Sequence, residues 1–366
     1  MLVNPVENMR DLRIFLLLIM VPFRETLPQT SRLPLVAEPV FHYGSIVPHH
    51  DFMHEFIEGP LVAGELKLGI QTTGKHAWET LYGYPRYGMG LYYGNIGNPE
   101  VLGNPFALYS FFDVPLIRGR RLSFHTQMAL GMAAGFNPYH PTYNPLNLAI
   151  GSRVNVFFYY NFYVGIKLSD RLRWVHGANF THFSNGVLTL PNTGFYLLDY
   201  FTSLQYTLYS EPPAFKKDPL PPFHPSHEFY LIPAAGMKKT RFEGRSWFAS
   251  TLTLGYYYRI GPINKVGTGA DFFYDTSLQE SFSETEPDFS DILRAGIFAG
   301  HELLIDRIGL VVNQGVYWYR KTRSYQQFYS RLAIRYHFPS GLIPSVAIKS
   351  HWGKADYIEW GLGYSF

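Results

Sequence analysis

A histidine and a serine two residues apart, near the end of a predicted strand, have the types and spacing that nucleophilic catalysis requires. His182 and Ser184 belong to the segment 179–192, and the turn-forming pair Asn185-Gly186 follows them directly. Residues i and i+2 of a strand point to the same face and lie about 6.5 Å apart. The imidazole and the hydroxyl can therefore meet without help from distant parts of the chain, which is the minimum for a base-activated serine nucleophile.

The two faces of this predicted strand differ in polarity. One face carries Leu172, Trp174, His176, Ala178, Phe180, His182 and Ser184, and the other carries Arg173, Gly177, Asn179 and Thr181. The apolar face would pack into the core of a soluble protein or face the lipid in a membrane barrel. A nucleophile at the end of a lipid-facing row indicates a lipid substrate.

Composition excludes several classes of function. The net charge is only +3 over 366 residues, too small to indicate a nucleic-acid partner. Cysteine is absent, which excludes thiol catalysis and zinc–thiolate sites. The 28 tyrosines and 30 phenylalanines are an aromatic load typical of the interfacial girdles of membrane barrels.

The N-terminus has the pattern of an export signal. A basic start at 9–13 precedes the apolar run Ile14–Phe23. This run is too short to span a bilayer as a helix but matches the apolar region of a signal peptide. We therefore predict a signal peptide over residues 1–25, although no clear cleavage site marks its end.

The rest of the chain predicts strands and no further helix. Because no other segment is long and apolar enough for a spanning helix, a membrane protein with this sequence must be a β-barrel. Alternation and turn signals predict about sixteen strands. They are Leu35–Tyr43, Leu61–Thr72, Arg86–Tyr93, Ala107–Val114, Leu122–Ala133, Leu148–Lys167, Leu172–Ser184, Gly194–Tyr209, His227–Lys238, Trp247–Ile260, Gly267–Thr276, Ile292–Leu303, Ile308–Arg320, Phe328–Phe338, Leu342–Ser350 and Asp356–Phe366.

A proline-rich connection at 210–226 divides these strands into eight before it, in residues 33–209, and eight after it, in residues 227–366. The fold class is thus an all-β, transmembrane antiparallel barrel of about sixteen strands, or alternatively two tandem eight-stranded barrels. The single barrel is favoured because only the last strand, which ends on Phe366, resembles the assembly signal of bacterial outer-membrane barrels. Short periplasmic turns and longer outer loops place the His/Ser pair at the outer-leaflet end of its strand.

Two short motifs resemble the signature of a known family. The sequences His182-Phe-Ser-Asn-Gly and Pro191-Asn192-x-Gly194 are similar to those of the lipid A 3-O-deacylases, also called acyloxyacyl hydrolase-like barrels. The resemblance covers about residues 35–209. It implies an outer-membrane serine esterase of a Gram-negative-type bacterium, which removes an ester-linked acyl chain from lipid A of lipopolysaccharide and needs no cofactor.

The resemblance also implies roles for individual residues. Ser184 matches the nucleophile, His182 the general base and Asn185 an oxyanion donor. The backbone of Gly186 lies near this donor, and Asn192 matches a structural asparagine of the outer loop.

The expected catalytic acid is missing, because Tyr196 occupies the position at which the family carries glutamate. A hairpin centred on Thr189 places Tyr196 opposite His182 on the same face. Its phenol can hydrogen-bond the imidazole but carries no negative charge. The nearest acid, Asp199, has the opposite parity and is expected to face the lumen.

Other interpretations remain open on the sequence alone. The chain could be a non-catalytic barrel, as a pore or a surface scaffold, or a soluble periplasmic β-protein with its apolar faces in a core. His49, His50 and His54 lie close together, but polar loop residues explain them better than a metal site does, so we predict no metal. Nothing in the sequence sets an oligomeric state.

Overall fold

The fold is all-β, as predicted. A computed structural model describes residues 34–208, 214–216, 219–282, 287–322 and 326–366, so the predicted signal peptide lies outside the described residues. Sixteen strands form the architecture. They are β1 (Leu35–Ile46), β2 (Leu61–Gln71), β3 (Arg86–Ile96), β4 (Gly103–Arg118), β5 (Leu122–Phe136), β6 (Val154–Lys167), β7 (Leu172–Ser184), β8 (Phe195–Thr207), β9 (His227–Lys239), β10 (Ser246–Gly261), β11 (Asn264–Asp275), β12 (Leu293–Ile305), β13 (Ile308–Arg320), β14 (Phe328–Tyr336), β15 (Leu342–His351) and β16 (Lys354–Ser365).

The strands close into two separate barrels of eight strands each, β1–β8 and β9–β16. Strand β1 pairs with β8, from Val36 opposite Thr207 to Ile46 opposite Leu197, and β16 pairs with β9. All sixteen strands are antiparallel, which confirms the predicted number and orientation. The preference for one large barrel is wrong and the two-barrel alternative is correct. Closure of β1 on β8 leaves no edge to which β9 could add.

Both barrels have apolar outer faces and bury charged side chains in their interiors, although one end of the first barrel also encloses an apolar cluster. In β2, Leu66 and Leu68 point outward and are 64% and 50% exposed, whereas Glu65 and Lys67 point inward and are each 4% exposed. This is the distribution of a transmembrane barrel, in which lipid covers the outer face. The alternative of a soluble protein with its apolar faces in a core does not fit it.

Side chains fill the barrel interiors. In the second barrel, Arg331 pairs with Asp271 at 2.6 Å and with Glu359, and Lys238 pairs with Asp275 at 2.7 Å. An eight-stranded barrel encloses just enough room for such side chains. The wide water-filled channel that a sixteen-stranded barrel would allow is therefore not formed.

Two local predictions need correction. Alternation predicts strand throughout Leu148–Lys167, but β6 begins only at Val154, because residues 137–153 form an irregular loop. Two short helices, α1 (Ala77–Leu81) and α2 (Pro99–Leu102), also occur where no helix was expected. Within the described ranges, no helix is long and apolar enough to cross a membrane.

The two barrels touch each other at several points. The ring of Tyr139, in the β5–β6 loop, packs edge-on against Phe242, in the β9–β10 connection, with centroids 4.9 Å apart. The Tyr82 hydroxyl, next to α1, donates a hydrogen bond to the Leu304 carbonyl in β12 at 2.9 Å. The loop that follows β7, which is part of the candidate site, also contacts the second barrel.

Candidate active site

His182 and Ser184 lie in the last three residues of β7, on its outward face, and both are half-buried. Across the ladder, His182 stands opposite Tyr196 in β8, as the predicted hairpin register requires. Asp199 points inward and is 5% exposed, and its carboxylate bonds His42 and Asn179. The prediction that Asp199 faces the lumen is confirmed, so this acid cannot serve His182.

The histidine is held between the serine hydroxyl and a backbone carbonyl. His182 Nε2 lies 2.9 Å from Ser184 Oγ, and His182 Nδ1 lies 3.1 Å from the Phe195 carbonyl oxygen. Because a carbonyl can only accept, Nδ1 must carry the proton and Nε2 is left as the acceptor for the serine O–H. This is the tautomer that a general base for Ser184 needs.

Tyr196 contacts His182 by its ring and not by its hydroxyl. The two rings stack with centroids 4.9 Å apart and an interplanar angle of 29°, and the phenol makes no hydrogen bond to the imidazole. The hydrogen bond that the phenol could make to the imidazole is not formed, and the Phe195 carbonyl lies at Nδ1 instead. Tyr196 also packs on His49, with centroids 4.4 Å apart.

The sequence indicates only a loop cluster of histidines for His49 and does not predict its contact with the site. Its Nε2 lies 3.3 Å from the Thr193 carbonyl oxygen, in the loop that follows Ser184. Among the residues that the structure describes, no group of three or more histidines and carboxylates could hold a metal ion. His49 is thus a neighbour of the His/Ser pair through Tyr196.

The loop after Ser184 is organised around Asn185. The Asn185 backbone N–H donates to Asn192 Oδ1 at 2.9 Å, and its side-chain Nδ2 donates to Ser152 Oγ at 2.8 Å. A primary amide has two N–H bonds, and only one is used here. The second N–H of Asn185 and the backbone N–H of Gly186 make no hydrogen bond within the described part of the chain. Two donors thus remain free beside Ser184.

Gly194 keeps the space beside the pair open. Its φ is +74°, and a Cβ added there would lie 2.8 Å from His182 Cε1 and 2.8 Å from the Phe183 carbonyl oxygen. Its N–H donates to the Ala149 carbonyl at 3.1 Å. Gly194 belongs to the motif Pro191-Asn192-x-Gly194, which by itself indicates no role for the glycine. The positive φ and the close approach explain why glycine stands there.

The second barrel supports the same loop. Val187, with φ +69°, accepts a hydrogen bond at its carbonyl from the Lys239 backbone N–H of β9 at 3.2 Å. Gly186, with φ +63°, packs so tightly on Ile358 of β16 that an added Cβ would collide with that side chain. Sequence reasoning missed this contact because nothing linked residues 227–366 to the site.

Comparison with protein families gives two matches along the chain. Residues 64–199 match the model described as lipid A 3-O-deacylase (PagL), and residues 227–366 match the model described as acyloxyacyl hydrolase, C-terminal domain. Together they cover most of the chain, and the first match includes all of β7 and the start of β8 up to residue 199. The comparison with curated proteins gives no match.

Solved structures similar to this chain include porins and a receptor. A mutant of the Rhodopseudomonas blastica porin is 7% identical over 92% of this chain and 100% of the porin, with a TM-score of 0.18. A mutant of the ferric enterobactin receptor PfeA from Pseudomonas aeruginosa is 8% identical over 88% of this chain and 53% of the receptor, with a TM-score of 0.23.

Proposed function

The chain belongs to the lipid A 3-O-deacylase family, and from this membership and the site geometry we propose that it is a serine esterase of the outer membrane. Its substrate is an ester-linked acyl chain on lipid A of lipopolysaccharide in the outer leaflet. The observation that carries the proposal is the 2.9 Å contact between His182 Nε2 and Ser184 Oγ, with Nδ1 fixed by a carbonyl.

The proposed reaction has two stages. Ser184 Oγ attacks the carbonyl carbon of the ester while His182 Nε2 takes the hydroxyl proton. The tetrahedral intermediate collapses, and the sugar alkoxide leaves with the proton that His182 returns. Water, activated by the same imidazole, then hydrolyses the acyl-serine and releases the fatty acid.

The free donors beside Ser184 are proposed to bind the oxyanion. The Gly186 backbone N–H and the second N–H of Asn185 are available for this role. Asn192 acts indirectly, since its side chain holds the Asn185 backbone. A fixed donor aimed at the developing charge contributes about 2.7–4 kcal/mol of transition-state stabilisation in a well-studied serine protease.

The Phe195 carbonyl orients His182 in place of the glutamate that the family carries at position 196. In serine proteases, replacing the orienting acid by its amide costs about 10⁴ in rate, because the imidazole then adopts the wrong tautomer. A carbonyl acceptor at 3.1 Å preserves the correct tautomer. It supplies no full negative charge to stabilise the imidazolium, so we propose an active but slow esterase.

The outward face of the strands offers a surface for the acyl chain. Phe180, Tyr160 and Leu198 adjoin the pair on this face and are 38%, 38% and 54% exposed. In a bilayer this surface contacts lipid tails, so a substrate already in the membrane can reach Ser184 without leaving it. This location agrees with an enzyme that acts on a lipid.

The proposal is tested by covalent labelling of the folded full-length chain in detergent with a fluorophosphonate probe. We expect the probe to phosphonylate Ser184 alone, and peptide mass spectrometry locates the adduct. Labelling should be lost in His182→Ala, because the hydroxyl then has no base. A wild-type protein that stays unlabelled, or labelling that persists in His182→Ala, would oppose the mechanism.

We expect Tyr196→Glu to raise kcat by about tenfold or more, which corresponds to a decrease of about 1.4 kcal/mol in the activation free energy. The carboxylate would stand directly opposite His182, where its charge can stabilise the imidazolium. The measurement is the rate of fatty-acid release from lipid A. Tyr196→Gln is the matched neutral variant, and an equal gain in it would assign the effect to lost stacking and not to charge.

A further inference from the structure

The second barrel carries three cationic residues near the loop that follows Ser184. Residues 239–245, at the end of β9 and in the β9–β10 connection, contain Lys239, Arg241 and Arg245 against one acid, Glu243. This segment, here called the cationic segment, lies at the end of the second barrel where β9 connects to β10.

The cationic segment adjoins the loop that carries Asn185. The Lys239 backbone N–H donates to the Val187 carbonyl at 3.2 Å, three residues after Ser184. Further along, Phe242 packs on Tyr139 with centroids 4.9 Å apart. Tyr139 in turn donates its N–H to the Ile150 carbonyl at 2.8 Å, and Ile150 pairs with Asn192. The cations therefore lie beside the same end of the first barrel as Ser184.

These cations differ from those inside the barrel. Lys238 is buried and forms ion pairs with Asp275 at 2.7 Å and Asp356 at 2.6 Å. The next residue, Lys239, points outward, and its ammonium makes no ion pair or hydrogen bond with any residue the structure describes. A cation that is left unpaired on the outer side is available to a ligand.

The two arginines are also available. Arg241 is 74% exposed and lies 3.9 Å from Glu280, a distance at which an exposed pair contributes little. The Arg245 guanidinium stacks on the Trp247 ring at 3.4 Å and is otherwise without a described partner. Stacking orders the guanidinium while its N–H donors remain free in the plane, the geometry that binds phosphate oxygens in pairs.

We infer that the cationic segment binds a phosphate of the lipid A head group and so positions the substrate whose ester lies at Ser184. The inference rests on the proposed function. Lipid A is a glucosamine disaccharide that carries phosphate monoesters and acyl esters on the same sugars, so a bound phosphate can position an ester at Ser184. It assigns to the second barrel a role in substrate binding. Lys239 and Arg245 are binding residues in this account and take no part in the chemical step.

The test measures binding in a form that cannot turn over. Full-length Ser184→Ala in detergent is titrated with lipid A that carries both phosphates, and with the same lipid A after phosphatase treatment. The variant adds Lys239→Gln and Arg245→Gln. The matched control adds Arg307→Gln, which removes an exposed cation in the β12–β13 turn at the opposite end of the same barrel.

We expect the double substitution to raise the Kd for phosphorylated lipid A about tenfold or more, as the loss of charge-assisted hydrogen bonds predicts. The Kd for dephosphorylated lipid A should be the same with and without the substitutions, which also shows that the variant is folded. Arg307→Gln should change neither value. Inorganic phosphate alone should compete only at far higher concentration, because it lacks the acyl contacts.

Other outcomes separate this inference from the proposed function. An unchanged Kd, or an equal rise for both forms of lipid A, would overturn the phosphate site. If the predicted binding pattern holds but the wild type releases no fatty acid, the head-group site stands and the esterase proposal fails. If the wild type cleaves lipid A and the two substitutions leave binding unchanged, the esterase proposal stands and the head-group site fails.

Discussion

Ser184→Ala and His182→Ala are each expected to lower kcat for lipid A deacylation by about 10⁴ or more, and the double variant by no more than either alone. The physical reason is that the nucleophile and its base act as one unit, joined by the 2.9 Å contact between Ser184 Oγ and His182 Nε2. Once one member is lost, the other has nothing left to contribute to the chemical step. The measurement is initial-rate kinetics of fatty-acid release by all three variants and the wild type.

His176→Ala provides the matched control for this experiment. His176 lies on the same outward face of β7, six residues before His182, and is hydrogen-bonded to the Tyr200 hydroxyl. It is expected to leave kcat within a few-fold of the wild type. Multiplicative losses in the Ser184/His182 double variant would show that the two residues act independently, and would contradict the assigned mechanism.

Gly194→Ala is expected to lower kcat by about 10² or more, since misplacement of a reacting group by about 1 Å can cost that much. The added Cβ would stand 2.8 Å from His182 Cε1, so the imidazole must move away from Ser184. The KM should change less than kcat, because the acyl-binding surface is untouched. Activity assays combined with thermal unfolding would separate the effect of this substitution on catalysis from its effect on stability.

Gly353→Ala is the matched control for backbone strain. Gly353 also has a positive φ, of +81°, but a Cβ added there meets nothing within 4 Å. Both substitutions should destabilise the protein by about 1 kcal/mol or more through the unfavourable φ. Only Gly194→Ala should also lose activity. An active Gly194→Ala protein would show that the imidazole position is not limiting.

The spacing of His182 and Ser184 made their contact predictable from the sequence, because strand geometry alone places residues i and i+2 side by side. The same parity argument predicted that Tyr196 faces His182 and that Asp199 does not. The acceptor on His182 Nδ1 could not be predicted. It is a backbone carbonyl, and every residue type carries one, so the sequence holds no signal for it.

The number of barrels was decided by pairing that no local pattern encodes. Strands β1 and β8 are far apart in sequence, and their alternation is equally compatible with pairing to each other or to strands of the second half. The contacts of Gly186 with Ile358 and of Val187 with Lys239 arise only after both barrels have closed. For this reason a role could be predicted for the first half of the chain and none for the second.

The most direct test is a mass spectrum of lipid A from cells that make equal amounts of folded wild-type protein or Ser184→Ala in the outer membrane. The account predicts that lipid A loses one ester-linked acyl chain only with the wild type, in a host whose lipid A carries that ester. Identical spectra in such a host would contradict the esterase assignment, and would favour a barrel that keeps the fold and the His/Ser pair without the chemistry.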